Sequence, residues 1–139
     1  MSEESTTPDL VELVRGFWAS AARRDWDAIL RFYAPDAVWD MSPMGLGTYE
    51  DATAIRGLWT DWVGGYQELE LDVEALDVGN GVVLAAVRQN ARPVGSTGRV
   101  QAQQALVYVW VNGIVAHVTI YPDIDEARAA AELLAEERG

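Results

Sequence analysis

Residues 105–121 read ALVYVWVNGIVAHVTIY: an unbroken apolar run, an Asn-Gly pair, then a second run rich in β-branched residues. Asn112-Gly113 is the strongest short hairpin signal in the chain, because a type I′ turn needs positive φ at both central residues. A two-residue turn pairs Val111 with Ile114 and fixes the register outward from there. On that register Val111, Val109, Val107 and Ala105 share a face with Ile114, Ala116, Val118 and Ile120. The opposite face carries Trp110, Tyr108, Leu106 and Gln104 with Val115, His117, Thr119 and Tyr121. The purely aliphatic face is expected to meet helices and form the core. The aromatic face is expected to stand open, and a large open aromatic surface is a liability on a monomer. A symmetric homodimer through this outer sheet face follows as an expectation, with Trp110, Tyr108 and Tyr121 as anchors beside His117.

Upstream of the hairpin, Gly95-Ser96-Thr97-Gly98 separates Arg99 to Val111 from a strand running from Val82 to Val94. Gly79-Asn80-Gly81 separates that strand from one in which Leu69, Leu71 and Val73 alternate with Glu68, Glu70, Asp72 and Glu74. Leu76 and Val78 fall on the other parity, which predicts a bulge at Glu74-Ala75. Before the strands the period is helical. Thr7-Pro8-Asp9 reads as a helix start, followed by Leu10, Leu13, Val14, Phe17, Trp18 and Ala21 on one face. Asp25 can cap a second helix, and Pro35 ends it. A short strand is expected over Ala37 to Met41, then a breaker-rich loop over Ser42 to Gly47. A third helix runs from about Asp51 to Val63, where Gly64-Gly65 stops it. Asp123 to Glu126 has capping-box spacing and opens an alanine-rich final helix. The fold class is α+β: helices over one face of a curved antiparallel sheet. Residues 1–9 read as a flexible tail and 10–137 as a single domain.

Composition excludes much chemistry. The chain has 139 residues, no cysteine and a single histidine, His117; all ten basic residues are arginine. Thiolate nucleophiles, cysteine-ligated metals, lysine Schiff bases and a multi-histidine metal site within one chain are therefore absent. The formal charge of −12 repels a phosphate backbone, so no nucleic acid is expected as a partner. The apolar runs are too short to span a membrane, and the polar, acidic N-terminus is unlike a signal peptide, which gives the expectation of a cytoplasmic protein. From Val78 to Pro122 there is neither Asp nor Glu. The long sheet can supply no carboxylate pair.

Several stretches resemble the NTF2-like fold in its SnoaL-like and ketosteroid-isomerase-like branch. They are Arg24-Asp25-Trp26-Asp27-Ala28-Ile29-Leu30, Tyr33-Ala34-Pro35-Asp36-Ala37-Val38-Trp39, and Ala54-Ile55-Arg56 with Leu58-Trp59. Asn112-Gly113-Ile114-Val115 and Tyr121-Pro122-Asp123 with Glu126-Ala127 resemble the last hairpin and closing helix. The resemblance covers roughly residues 10–130. It implies a cone-shaped α+β barrel, usually dimeric, with an apolar pocket between helices and sheet. Members include isomerases, polyketide cyclases, epoxide hydrolases and dehydratases, so the fold does not choose the reaction. Ketosteroid isomerases use a base aspartate and a Tyr–Asp oxyanion hole. Aligned without gaps, their helical tyrosine falls on Phe17 and their base on Met41. The neutral sheet aspartate falls near Val107, and the cyclase acid near Ile120. Tyr33 keeps a pocket tyrosine and Trp59 replaces another. The resemblance thus implies a nearly erased isomerase site.

Asp40 lies close to where that family places its base. An aspartate among apolar neighbours has a raised pKa and can act as a general base. Strand alternation can equally turn it outward while Trp39 and Met41 face the pocket. Arg88, Asn90 and Arg92 alternate along one strand; if Val94 opposes Arg99, they share the inner face with Gln101 and Gln103 and can orient a carbonyl or carboxylate. A one-residue register change sends them outward. Trp18 and Trp62, with Phe17, Trp59, Val118 and Ile120, are available to line an apolar pocket. Three functions are compatible with these residues. One is an acid–base enzyme on a small apolar carbonyl or hydroxyl compound, with Asp40 as base, Tyr33 as hydrogen-bond donor, and no metal or organic cofactor. The second is non-catalytic binding of an apolar ligand. The third is a dimerising module with a vestigial pocket.

Overall fold

The computed structural model describes residues 9–139. Helix α1 (Leu10–Ala22) is capped by the Asp9 carboxylate, which accepts from the Glu12 backbone N–H. The expected start at Thr7-Pro8 lies outside the described residues. Asp25 caps α2 (Trp26–Leu30) and Asp51 caps α3 (Ala52–Gly64) in the same way. Strand β1 (Tyr33–Asp40) begins earlier than expected. It absorbs Pro35 at an irregularity between Tyr33 and Val38, where a residue without an N–H is tolerated. A short 3-10 turn at Ser42–Met44 leads to a three-residue strand β2 (Thr48–Glu50), too brief to carry a periodicity. The meander follows: β3 (Tyr66–Gly79), β4 (Val82–Pro93), β5 (Val100–Val111) and β6 (Ile114–Tyr121), then α4 (Ile124–Arg138).

The six strands form one open, curved sheet in the order β2-β1-β6-β5-β4-β3. All neighbours are antiparallel except β1 and β6, which run parallel. Both two-residue turns of the meander adopt positive φ twice, Asn80 and Gly81 in one, Asn112 and Gly113 in the other. Against expectation, β3 pairs with β4 without interruption from Glu68 to Asp77, so there is no bulge at Glu74-Ala75. Ala75 stays on the face of Leu69, Leu71 and Val73, and Leu76 is exposed on the other.

The bulge sits in β6 instead. The register runs Val111↔Ile114 and Trp110↔Val115, then slips to Val109↔His117, Tyr108↔Val118 and Leu106↔Ile120, leaving Ala116 as the extra residue. The slip puts the aromatics of β5 opposite the aliphatics of β6. Leu106, Tyr108 and Trp110 therefore join Val115, Val118 and Ile120 under α1–α3.

This inverts the facing expected for β5. Trp110 and Tyr108 are 4% and 1% exposed and cannot anchor a dimer from outside. Val107 and Ala105 lie on the other face with Val82 and Leu84, covered by α4 through Ala127, Ala131 and Ala135. Physically, β5 is apolar on both parities because both of its faces are buried. The smooth aliphatic one suits a stripe of alanines, and the bulky one suits Phe17, Trp18 and Trp59. His117, Thr119 and Tyr121 do occupy the outer side of β6, opposite Val118 and Ile120.

Candidate functional site

The space between α1–α3 and the sheet is organised around Trp59, whose side chain is fully buried. Its ring lies 5.2 Å from Phe17, 5.0 Å from Trp18, 5.5 Å from Trp39 and 5.0 Å from Trp62, centroid to centroid. Phe17 also meets Tyr33 edge-on at 5.6 Å. Each edge-to-face pair adds roughly 0.5–1.5 kcal/mol beyond area burial. Helical spacing brings Phe17 and Trp18 to this point from α1, and α3 brings Trp59 and Trp62. Strand alternation brings Tyr33 and Trp39 from β1. The sequence-predicted set Phe17, Trp18, Tyr33, Trp59, Val118 and Ile120 thus shares one core, with Met41 and Trp62 packed at its margin.

The polar side-chain atoms within this core are indole N–H donors, phenol hydroxyls that can both donate and accept, and the Gln89 amide. Trp18 Nε1 donates to Tyr108 Oη at 2.8 Å. The Tyr33 hydroxyl and the indole N–H groups of Trp39, Trp59 and Trp110 are buried without a hydrogen-bond partner in the protein, as is Gln89 Oε1. Burial pushes the Tyr33 hydroxyl far above the ordinary phenol pKa, and Tyr108 adds to the rise. The Trp59 indole is near enough to oppose this in part, though not in hydrogen-bonding geometry. Tyr108 is raised as well, by burial first. Both phenols stay protonated and can donate; neither is a base at neutral pH.

Asp40 is not among these groups. Trp39 points inward at 4% exposure. Its neighbour Asp40 stands on the opposite side, level with Thr119 in the β1–β6 pairing. Its Oδ1 accepts from the Ser42 backbone N–H at 2.9 Å and from the Thr48 hydroxyl at 3.4 Å. These bonds, the Ser42 contacts foremost and His117 behind them, hold the carboxyl below its ordinary pKa, the reverse of what a general base in an apolar setting needs. His117 Nδ1 is 3.3 Å from Thr119 Oγ1. Tyr121 is raised by its partial burial, then by Asp40 and Glu126.

The polar end expected inside the cone is also outside it. Arg88 pairs with Gln103, and Asn90 with Gln101, so these residues do share a face as expected. That face is the one carrying Leu84 and Val107, away from α1–α3. Arg88, Asn90 and Gln103, with Glu70, Asp72 and Gln101, line a groove of about 510 Å³ on the outer sheet. Asn90 accepts from Arg99 Nε at 2.7 Å, and Arg92 and Arg99 both bind the Glu68 carboxylate there, lowering its pKa. Val107 faces α4 and lines no part of the cone.

The residues that sequence reading did not place in this core are Tyr108, Trp110 and Gln89. Of the two facings that alternation left open for β1, the structure has Trp39 inward and Asp40 outward. Among the described residues no group of three or more His, Cys, Asp or Glu side chains could hold a metal, and no helix is long and apolar enough to cross a membrane.

The sequence model of the SnoaL-like domain matches residues 14–118. No curated protein matches the chain. Among solved structures, an NTF2-like protein of unknown function from Burkholderia pseudomallei is 21% identical, with a TM-score of 0.70 over 90% of this chain and 98% of its own. SalBIII, an epoxide hydrolase/cyclase-like enzyme with a role in pyran ring formation in salinomycin, is 18% identical, with a TM-score of 0.71 over 90% of this chain and 96% of its own. A Shewanella putrefaciens protein described as a SnoaL-like polyketide cyclase is 10% identical, with a TM-score of 0.68 over 92% and 98%. At these identities the likeness is one of fold.

Proposed function

Because the chain belongs to the SnoaL-like domain family, we propose that it holds a small apolar molecule between its helices and sheet, without a carboxylate performing acid–base chemistry there. One observation carries this reading: Asp40 is turned to the outer face and held as a carboxylate by Ser42 and Thr48, while the buried polar groups of the aromatic interior are phenols, indoles and the Gln89 amide, none of them a carboxylate. A proton-abstracting mechanism needs a group within reach whose pKa lies near the working pH. Tyr33 and Tyr108 are shifted away from that range. The likeness to SalBIII and to a polyketide cyclase supports a small organic molecule as the occupant. A ligand that binds only the native state raises the unfolding temperature by mass action. Steroids, terpenoids and aromatic polyketides are the compounds to screen by thermal shift, with Asp40→Asn alongside the wild type. At least one class should stabilise both proteins equally. A screen without any shift overturns the reading, as does a ligand whose conversion or binding depends on Asp40.

Self-association belongs to the same proposal, relocated from the aromatics to the uncovered polar half of the outer face. Asp72 and Arg88 stand opposite each other across β3 and β4 without forming an ion pair with each other. A two-fold axis through this groove lets each meet its counterpart in a second copy, the reciprocal pattern an isologous interface requires.

A further inference from the structure

A second concave surface lies where α3 meets the short edge strand β2. It is a groove of about 530 Å³ lined by Tyr49, Ala54, Gly57, Leu58, Asp61 and Trp62. The helical residues recur at three- and four-residue steps, so they form one stripe along α3. Tyr49 joins them from β2, where it pairs with Trp39 and shares its face of the sheet. Trp62 is half-buried, its ring 5.0 Å from that of Trp59. Two aromatic side chains and one carboxylate therefore border an apolar floor. No basic side chain lines the groove. Among the described residues Asp61 forms no ion pair; the arginines that do, Arg92 and Arg99, take Glu68 and Glu70. Gly57 points the same way independently. It sits in the middle of α3 with helical rather than left-handed backbone, where glycine is the poorest helix former after proline. Tight packing does not demand it, because a Cβ built there meets nothing within 4 Å. What this glycine preserves is open space over the helix, which a larger side chain would fill.

We propose that this groove binds a small methylated ammonium compound, free in solution, with the Trp62 and Tyr49 rings against its methyl groups and Asp61 opposite its charge. The site goes beyond the interior ligand proposed above and does not depend on it. Aromatic faces attract a cation through their quadrupole, and tryptophan does so best. A carboxylate with no other counter-ion adds a direct attraction, and the formal charge of −12 concentrates cations near the surface. Methylation matters as well as charge. A primary ammonium carries three N–H donors that the floor of Ala54, Gly57 and Leu58 cannot satisfy. A quaternary one has none, so it loses less on leaving water. In a phosphatidylcholine headgroup the same cation is tied to a phosphate, which Asp61 and the net charge repel. A free compound meets no such penalty.

Choline, its neutral isostere 3,3-dimethylbutan-1-ol, and ethanolamine separate charge from methylation. Each is titrated into the full chain while the six tryptophan indole signals are followed by NMR, with Trp62 assigned from Trp62→Phe. Choline is expected to move the Trp62 signal and to bind about fivefold or more tighter than either other probe. Asp61→Asn should weaken choline about threefold and leave the neutral isostere unchanged. Gly57→Leu should abolish choline binding while raising the unfolding temperature of the free protein by a few degrees, because it fills the groove and removes a helix-weakening glycine. A purely structural role for this face would move the unfolding temperature alone. Asp61 and Gly57 are exposed, so their variants keep the test intact should Trp62→Phe fail to fold. Equal binding of choline and the isostere leaves apolar contact only, and equal binding of choline and ethanolamine leaves charge only; either overturns the proposal. So does a Trp62 signal that stays still at tens of millimolar choline, or a choline affinity undiminished in Gly57→Leu. Capture of the protein by phosphatidylcholine vesicles, lost in Gly57→Leu, overturns the assignment to a free compound.

Discussion

Trp39 and Asp40 are adjacent in the chain and opposite in environment, and the fate of the carboxylate turns on that single step of strand alternation. The charged form of Asp40 is stabilised in the folded state by Ser42 and Thr48, so its folded pKa lies below the unfolded value of about 3.9. The sign follows from linkage. Its contribution to stability is complete above the unfolded pKa and drains away as pH falls through the folded one. Asp40→Asn should therefore be less stable than the wild type at pH 6–7, with the gap closing toward pH 3. Urea midpoints across that range measure it, and a gap independent of pH would mean that the charge has no favourable partner in the fold. At this scale the sequence was legible in its residue types but ambiguous in their facing. Phe17, Trp18 and Trp59 converge as read, because helix periodicity leaves little choice of face for a wholly apolar stripe, and Tyr33 joins them from β1. Arg88, Asn90 and Gln103 share one face as grouped, but their side stayed open in the sequence, because a polar triplet does not say which of two covered faces it ends.

Among the elements, the β5–β6 hairpin shows how a correct turn can yield an incorrect face. Asn112-Gly113 sets the first two pairs as expected, and one extra residue at Ala116 then shifts every pair beyond. The spacing Val115, Val118, Ile120 carried that slip, three residues and then two, but β5 is apolar throughout and offered no phase to check it against. The alanine stripe of α4 was the missing clue: Ala127, Ala131 and Ala135 need a flat aliphatic surface, and Val82, Leu84, Ala105 and Val107 provide it. This helix is fastened at its far end by the β3–β4 turn. Arg138 Nε donates to the Asn80 carbonyl at 2.8 Å, and Asn80 Nδ2 donates to the Ala135 carbonyl at 2.6 Å. Gly81 makes the approach possible. Its φ is +82°, and a Cβ there would lie 2.7 Å from the Trp110 carbonyl oxygen and 3.2 Å from Arg138 Nη2. Gly81→Ala should cost about 1–3 kcal/mol. Chemical denaturation reads the loss, and because the clash also displaces Arg138, hydrogen exchange should rise in α4 before the rest of the sheet.

For the molecule as a whole, the expected fold class is present: helices over one face of a curved sheet. The covered outer face departs from expectation, and the proposed contact with a second copy lies on its uncovered polar half. In the isologous arrangement the counterpart of Arg88 is Asp72, so reversing either charge alone should lower the average mass in multi-angle light scattering toward that of a monomer. Arg88→Asp combined with Asp72→Arg should restore it. A mass unaffected by all three variants removes this groove as the contact. The sheet is also open, with β2 and β3 at its edges. One edge is three residues long and offers little backbone to copy. The other spans fourteen residues, and along it Glu68, Glu70, Asp72 and Glu74 put a carboxylate at every second position. A foreign strand adding to that edge brings its own side chains alongside this row, and a second β3 brings four more acids to meet the first four. The alternation that marked β3 as half-buried thus has a second physical consequence: it guards the long edge against unbounded extension into aggregates.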